Sequence, residues 1–331
     1  MLPTSAAKLV VLTPVKNEEW ILERFLTATS QFADVIIVAD QYSTDGSRDI
    51  CRRFSKVILI ENPERNYNEE YRQRLLIAAA RRAVPGPRVL LALDADEIVS
   101  ADTVHSAGWA SVKKAPPGTV LRFPKPDILG NANYCRPSAA PFALGYVDDG
   151  REHEGLVFHS QRLPGSEQNP KLDVEDICFL HFGMAREHEY FARVRLYCVQ
   201  EKLARSKSWK ARMLYYSPHV LRARLAAVAL PLHKSWLAGW DAQGIDLRTH
   251  PSSEDNHFNR QVLELFAVHG ESMFWWDDIW EFDWERYQRF VRERHPAAPN
   301  PEKRIRGPGR ARRIAIDLVR ACVMFRERGK G

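Results

Sequence analysis

Two aspartates separated by one residue, Asp94 and Asp96 in Leu93-Asp94-Ala95-Asp96-Glu97, follow an apolar run at 89–93. Side chains two apart in an extended segment point to the same side, so both carboxylates are expected to face one cation. Hard oxygen donors suit Mn2+ or Mg2+, which would hold a diphosphate and offset the charge that builds on it as it departs. Glu97 is expected to orient the pair from behind. Asp40 ends a second apolar run at 35–39, where a carboxylate can accept hydrogen bonds from a base imide or a ribose hydroxyl. Alone, the following Ser43-Thr44-Asp45-Gly46-Ser47 reads equally well as a plain turn and helix start.

These residues need a scaffold that brings strand ends together. Four continuous apolar runs, 9–12, 35–39, 57–60 and 89–93, read as strands covered on both faces. Between them lie three helical patterns. The first spans about 18–30, with Asn17 as its expected cap and a stripe of Trp20, Ile21, Phe25 and Leu26. The second spans about 45–54, and the third, about 69–83, stops at Val84-Pro85-Gly86-Pro87. Such a β-α-β-α-β-α-β succession forms a mostly parallel α/β sheet that binds ligands beyond the carboxyl ends of its strands. The first strand end, Thr13 to Glu19, lacks Gly-x-Gly-x-x-Gly, which speaks against an NAD dehydrogenase.

Beyond Asp96, breaks at 115–118 and a Pro-, Gly- and Asn-rich stretch at 124–150 suggest mixed strands and long loops. Helical periodicity resumes at about 185–206, followed by a basic, aromatic stretch at 207–240 and a basic tail at 301–331. The expected division is therefore 1–120 and 121–206 as two halves of one α/β domain, and 207–331 as a largely helical extension.

With 331 residues, 45% of them hydrophobic, the chain can build a sizeable core. Its 48 Lys and Arg against 42 Asp and Glu suit a partner carrying phosphate, a nucleic acid or an anionic membrane, without choosing among them. Five scattered cysteines without a Cys-x-x-Cys pair read as reduced thiols. With no signal-peptide pattern and no membrane-spanning run, the expected location is cytoplasmic.

The three strand-end motifs, Thr13-Pro14-Val15-Lys16-Asn17-Glu18-Glu19, Asp40 with Ser43-Thr44-Asp45-Gly46-Ser47, and Leu93-Asp94-Ala95-Asp96-Glu97, stand in an order that resembles the family 2 glycosyltransferases. The resemblance implies the GT-A fold, a Rossmann-like, mostly parallel sheet flanked by helices, with 1–120 as its nucleotide-sugar half and 121–206 as its acceptor half. It also implies that Asp94 and Asp96 form an Asp-x-Asp metal motif and that Asp40 contacts the base. Pro14, Lys16, Asn17, Glu18, Ser43 and Ala95 would line the nucleotide sugar, with Arg72 or Arg74 supplying a basic contact. A fainter resemblance, to bacterial lipopolysaccharide-core sugar transferases, rests on His153-Glu154 and a later strand histidine, His181. It implies that Glu154 removes the acceptor proton, with Asp176 as the competing base. His181 would complete the metal shell or touch the diphosphate.

The expected activity is inverting, metal-dependent hexosyl transfer from a nucleoside-diphosphate sugar to a hydroxyl of a glycan or lipid-linked acceptor. A sugar nucleotidyltransferase would bring a Gly-rich basic loop after the first strand, which Thr13 to Glu19 is not. A nucleic-acid-binding protein would not need paired carboxylates at a strand end, so no nucleic-acid partner is expected. The stretch containing Tyr215, Tyr216, Leu221, Leu225, Trp236 and Trp240 reads more often as packing within its own domain. Its other reading is a peripheral contact with the inner face of the membrane.

Overall fold

The computed structural model describes residues 6–64, 68–157, 160–251 and 253–328. Residues 1–5 of the expected nucleotide half and 329–331 of the expected basic tail lie outside the described residues. β1 (Lys8–Val15), α1 (Glu19–Thr29), β2 (Val35–Asp40), α2 (Ser47–Arg52), β3 (Val57–Glu61), α3 (Glu69–Ala83) and β4 (Arg88–Ala92) follow the expected alternation. Next come β5 (Glu97–Val99), α4 (Gly108–Lys114), β6 (Val120–Phe123), β7 (Asp127–Leu129), β8 (Tyr134–Arg136), β9 (Phe142–Val147), β10 (Lys171–Asp173) and β11 (Phe179–Met184). Three helices follow, α5 (Glu187–Ala204), α6 (Trp209–Tyr216) and α7 (Pro218–Val228), then β12 (Leu230–Pro231) and α8 (Ser235–Ala242). The remainder is helical, with α9 (His257–His269), α10 (Trp284–Arg294) and α11 (Arg310–Arg328).

The chain divides into two compact units, Met1–Ala185 with Leu230–His250, and Arg186–Ala229 with Pro251–Gly331. The two expected halves, 1–120 and 121–206, fall in one unit as far as residue 185, but the helical unit begins at 186 rather than 207, and 230–250 belong to the first unit. The reason lies in pairing. Leu230 and Pro231 of β12 pair with β8, and the buried Trp240 of α8 donates its indole N–H to the Val99 carbonyl at 2.9 Å. The basic, aromatic stretch at 207–240 is thus shared between both units and does not form one stripe.

In the first unit a seven-stranded sheet has the order β10-β6-β9-β4-β1-β2-β3. β4, β1, β2 and β3 run parallel, and β9 pairs antiparallel with both β4 and β6. Strand periodicity sorts the apolar residues between its faces. Val11, Ile36, Val38 and Leu91 pack with Ile21, Leu22, Phe25 and Leu26 of α1. Val10, Leu12, Ile37, Ala39, Leu90 and Ala92 pack with Leu76, Ile77, Ala79 and Ala80 of α3. The third apolar run departs from expectation. β3 is the sheet edge and Ile58 is exposed, so this strand is not covered on both faces.

A second, five-stranded sheet has the order β12-β8-β7-β11-β5. The stretch at 124–150, expected to give mixed strands and loops, supplies β7 and β8 to this sheet and β9 to the large one.

The helical unit is built around Leu196, Val199, Val262, Leu263, Phe266, Trp284 and Tyr287. Two indoles serve this core: Trp280 stacks on Phe266 at 5.6 Å between ring centres, and Trp284 is buried. Arg212 of α6 is buried against Asp277 at 2.7 Å.

Candidate active site

The loops after β1 and β2 are stitched together at the carboxyl edge of the large sheet. Asn17 adopts the left-handed conformation, with φ of 58°, so it is not the helix cap expected from sequence. Its backbone N–H donates to Ser43 Oγ at 2.9 Å, and its side-chain oxygen accepts the Thr44 N–H at 2.8 Å. The Glu18 N–H donates to Ser47 Oγ at 2.9 Å, and the Gly46 N–H donates to the Glu19 carboxylate at 2.9 Å. A Cβ on Gly46 would sit 2.6 Å from that carboxylate, so a larger residue there would push the Glu19 side chain aside. Pro14 is half-buried at the end of β1, and Lys16 is exposed beside it.

Asp40 is buried at the end of β2. One of its oxygens accepts the Ser43 N–H at 3.3 Å, with Arg48 at 3.7 Å, while Oδ1 is buried without a partner. Native folds seldom leave a carboxylate oxygen so placed, because forgoing a hydrogen bond in the interior costs about 1–3 kcal/mol. Such an atom marks where a donor from a ligand would be rewarded.

The Asp-x-Asp segment differs from expectation. β4 ends at Ala92, and 94–97 form a turn closed by the Glu97 N–H donating to the Asp94 carbonyl at 2.9 Å. Two-residue alternation therefore does not apply, and the carboxylates go separate ways. Asp94 accepts from Arg162 Nη2 at 2.6 Å, whereas Asp96 has His181 Nε2 3.7 Å away.

Glu97 anchors the turn. Fully buried, it accepts the Asp94 N–H at 3.0 Å, Lys125 Nζ at 2.6 Å and Arg162 Nη1 at 2.6 Å. Burial alone would raise its pKa, but Arg162 and Lys125 outweigh that and hold it well below the usual carboxylate range.

Strand register extends this into a row across the second sheet. Glu97 lies opposite His181, His181 opposite Asp127, and Asp127 opposite Arg136. Residues paired in this way share a face, giving alternating charges on four neighbouring strands. Asp127 Oδ1 is 2.6 Å from His181 Nδ1, and its other oxygen accepts from Arg136 Nε at 2.8 Å. Burial would lower the His181 pKa, but Asp96 and Asp127 raise it. With Nδ1 held by a carboxylate, Nε2 is turned toward Asp96, the arrangement by which proteins orient a metal-binding imidazole. A Cβ on Gly183 would lie 2.7 Å from His181 Nε2 and 3.3 Å from Asp96 Oδ2, so the chain passes close against this pair.

Asp96 and His181 offer one oxygen and one nitrogen, a donor set that fits a divalent cation. Among the described residues no three His, Cys, Asp or Glu are grouped to hold one unaided. The remaining donors would have to come from diphosphate or water.

Glu154 is exposed in a segment fastened at intervals to α3. Asp148 receives Arg81 at 2.8 Å and Arg88 at 2.5 Å, and Arg74 Nε donates to the His153 carbonyl at 2.9 Å. The Ser160 N–H donates to Glu69 at 2.6 Å, and Arg162 then reaches Asp94 and Glu97. Arg74 is thus occupied in holding this strap, while Arg72 is half-buried on the same helix. His153 is buried with neither ring nitrogen bonded, and burial lowers its pKa. Asp176 accepts the Gly108 N–H at 2.9 Å and the Ser106 hydroxyl, capping α4. It precedes β11, five residues upstream of His181.

Sequence reasoning missed Lys125, Asp127, Arg162 and Gly183. Lys125 carried a faint signal, a lone cation in Pro124-Lys125-Pro126. For Arg162 there was none.

Residues 10–107 match the family model Glycosyl transferase family 2. Among solved structures, the chain is similar to glucosyl-3-phosphoglycerate synthase from Mycobacterium tuberculosis in complex with Mn2+, UDP and glucosyl-3-phosphoglycerate, with 19% identity and a TM-score of 0.28. That similarity covers 37% of this chain and 44% of the synthase, less than half of its length. A second similar structure is 4-diphosphocytidyl-2C-methyl-D-erythritol synthase, with 16% identity, 43% and 72% coverage and a TM-score of 0.28. No curated protein matches the chain.

Proposed function

We propose that the protein is an inverting glycosyltransferase that moves a hexosyl group from a nucleoside-diphosphate sugar to a hydroxyl of a glycan or lipid-linked acceptor, in contact with the membrane surface. The match of residues 10–107 to family 2 supports the glycosyltransferase class. The observation that carries the site is Asp96 at the carboxyl end of the central strands with His181 Nε2 turned toward it. Asp96 and His181 would hold Mn2+ or Mg2+, which supplies charge stabilisation for the departing diphosphate, and Asp94 would join them only by giving up its pair with Arg162.

The other roles fall to residues of the chain. Asp40 Oδ1 accepts a donor of the base or ribose, and the stitched loop of Pro14, Lys16, Asn17, Glu18 and Ser43 shapes the wall beside it. Arg72, with Ala95 of the turn, borders the sugar diphosphate. The acceptor oxygen attacks the anomeric carbon, the bond from that carbon to the diphosphate oxygen breaks, and the acceptor proton passes to a carboxylate. Glu154 is the favoured base because it is exposed in a strap fixed at both ends. Asp176 is the weaker candidate, since it already caps α4.

Turnover of a panel of nucleotide sugars, with and without Mn2+, tests this. Asp96→Ala is expected to abolish transfer, and activity left intact would sink the metal site. Glu154→Gln is expected to lower kcat by about 10²–10⁴ while the donor still binds. An unchanged kcat there, with loss on Asp176→Asn, would reverse the assignment of the base.

A further inference from the structure

The positive charge of this protein is concentrated at one end. Residues 303–328 hold nine of the 48 Lys and Arg but only two of the 42 Asp and Glu, so the rest of the chain carries 39 basic against 40 acidic residues. The formal excess of +6 belongs to this segment, most of which is α11.

α11 has two unlike faces. On one, Ile316 is buried and Arg320 pairs with Asp278 at 2.6 Å, fixing the helix to its own unit. Arg312 lies over Trp275 at 4.8 Å and over Trp276 at 5.5 Å. The other face is apolar yet open to solvent: Ile314 is 51%, Leu318 63% and Phe325 79% exposed. Exposed Ala321 and Cys322 complete the row. Intervals of three and four residues place these side chains on a single line along the helix. Arg306 and Arg310, both exposed, stand at its amino-terminal end, and Trp276, itself 43% exposed, brings a side-chain type suited to the lipid–water boundary.

We propose that α11 is a docking helix for an anionic lipid surface, with Ile314, Leu318 and Phe325 entering the headgroup boundary and the flanking arginines meeting lipid phosphates. Two observations select this occupant. Among the described residues no helix is long and apolar enough to cross a membrane, so the stripe suits lying in the interface. A second copy packed on the stripe would set two strongly cationic segments side by side, whereas acidic lipid neutralises them. This deepens the membrane contact of the proposed function and relocates it from the 207–240 stretch.

Flotation of the full chain with vesicles is the test, read without any nucleotide sugar. Wild type is expected to bind phosphatidylcholine vesicles containing phosphatidylglycerol, to bind pure phosphatidylcholine far less, and to be released by salt. Leu318→Glu with Phe325→Glu should weaken binding by at least about tenfold. Arg306→Glu with Arg310→Glu should do so by about tenfold, on the acidic vesicles only. Unchanged circular dichroism in both variants separates lost docking from lost folding. Failure of wild type to bind, equal binding to both vesicle types, or variants that bind as wild type would overturn the proposal. So would a lipid-free dimer that Leu318→Glu dissociates, which would assign the stripe to a second copy. None of these outcomes touches the transferase activity, which Asp96→Ala tests independently.

Discussion

The candidate site has two halves built by opposite means. Around Asp40 the loops after β1 and β2 are joined mainly by backbone N–H groups meeting short polar side chains, Asn17 to Ser43 and Thr44, and Glu18 to Ser47. Around Glu97 buried ions do the work, with one carboxylate held by Lys125 and Arg162 and a charged row continuing through His181 and Asp127 to Arg136. Neutral stitches share the cost of order among many weak bonds, so removing one is survivable. A buried carboxylate with two cations leaves large uncompensated charges if any member goes. The first half can present an unsatisfied oxygen to a ligand, while the second is fixed before a ligand arrives.

That contrast can be broken by experiment. The largest effect is expected for Glu97→Gln, which takes from Lys125 its carboxylate and leaves Arg162 with Asp94 alone: stability to urea should fall by about 3–5 kcal/mol, and activity should fall with it. A loss under about 1 kcal/mol would show that water screens the pair as it does at a surface.

Asp148→Asn comes next, at about 2–3 kcal/mol from its bonds to Arg81 and Arg88. Burial tends to raise the Asp148 pKa, but the two arginines lower it on balance. Its contribution is therefore present above the unfolded-state value, about 3.9, and is lost as pH falls through the lower folded value. Urea midpoints followed downward in pH should accordingly drop more steeply for wild type than for Asp148→Asn below about pH 4, the two curves converging.

Asp40→Ala should do least to the fold, because Oδ1 has no partner and the other oxygen holds only the Ser43 N–H at 3.3 Å and Arg48 at 3.7 Å. Calorimetry should show nucleotide affinity weakened by roughly tenfold or more with stability nearly unchanged. A destabilisation matching that of Glu97→Gln would erase the distinction between the halves.

The same contrast explains what was legible in the sequence. β1, β2, α3 and β4 came from short-range periodicity, and Asp40, Asp94 and Asp96 from their position after apolar runs. Within such windows the errors were small but consequential. β4 ends one residue before Leu93, and the resulting turn separates carboxylates expected to act side by side. Asn17, typical of a cap, serves instead as a left-handed corner. The ionic half joins residues far apart in the chain, Lys125 to Glu97 across 28 positions, His181 to Asp127 across 54 and Arg162 to Glu97 across 65. Strand register creates the His181–Asp127 partnership, whereas Lys125 and Arg162 reach Glu97 from the loops between strands, and local pattern encodes neither placement. Gly183 illustrates the limit: its reason is a clash with His181 that exists only once β11 is formed.

The return of residues 230–250 to the first unit has a consequence for synthesis on the ribosome. Every candidate catalytic residue has been made by position 181, yet Trp240, which fills the core and bonds to Val99, emerges some sixty residues later. Until then the nascent first unit must wait with part of its interior uncovered, while α5, α6 and α7 are polymerised. A chain cut after residue 229 would keep the whole proposed active site and lack its last supporting layer. The shortest segment that contains the chemistry is therefore shorter than the shortest one that can fold around it.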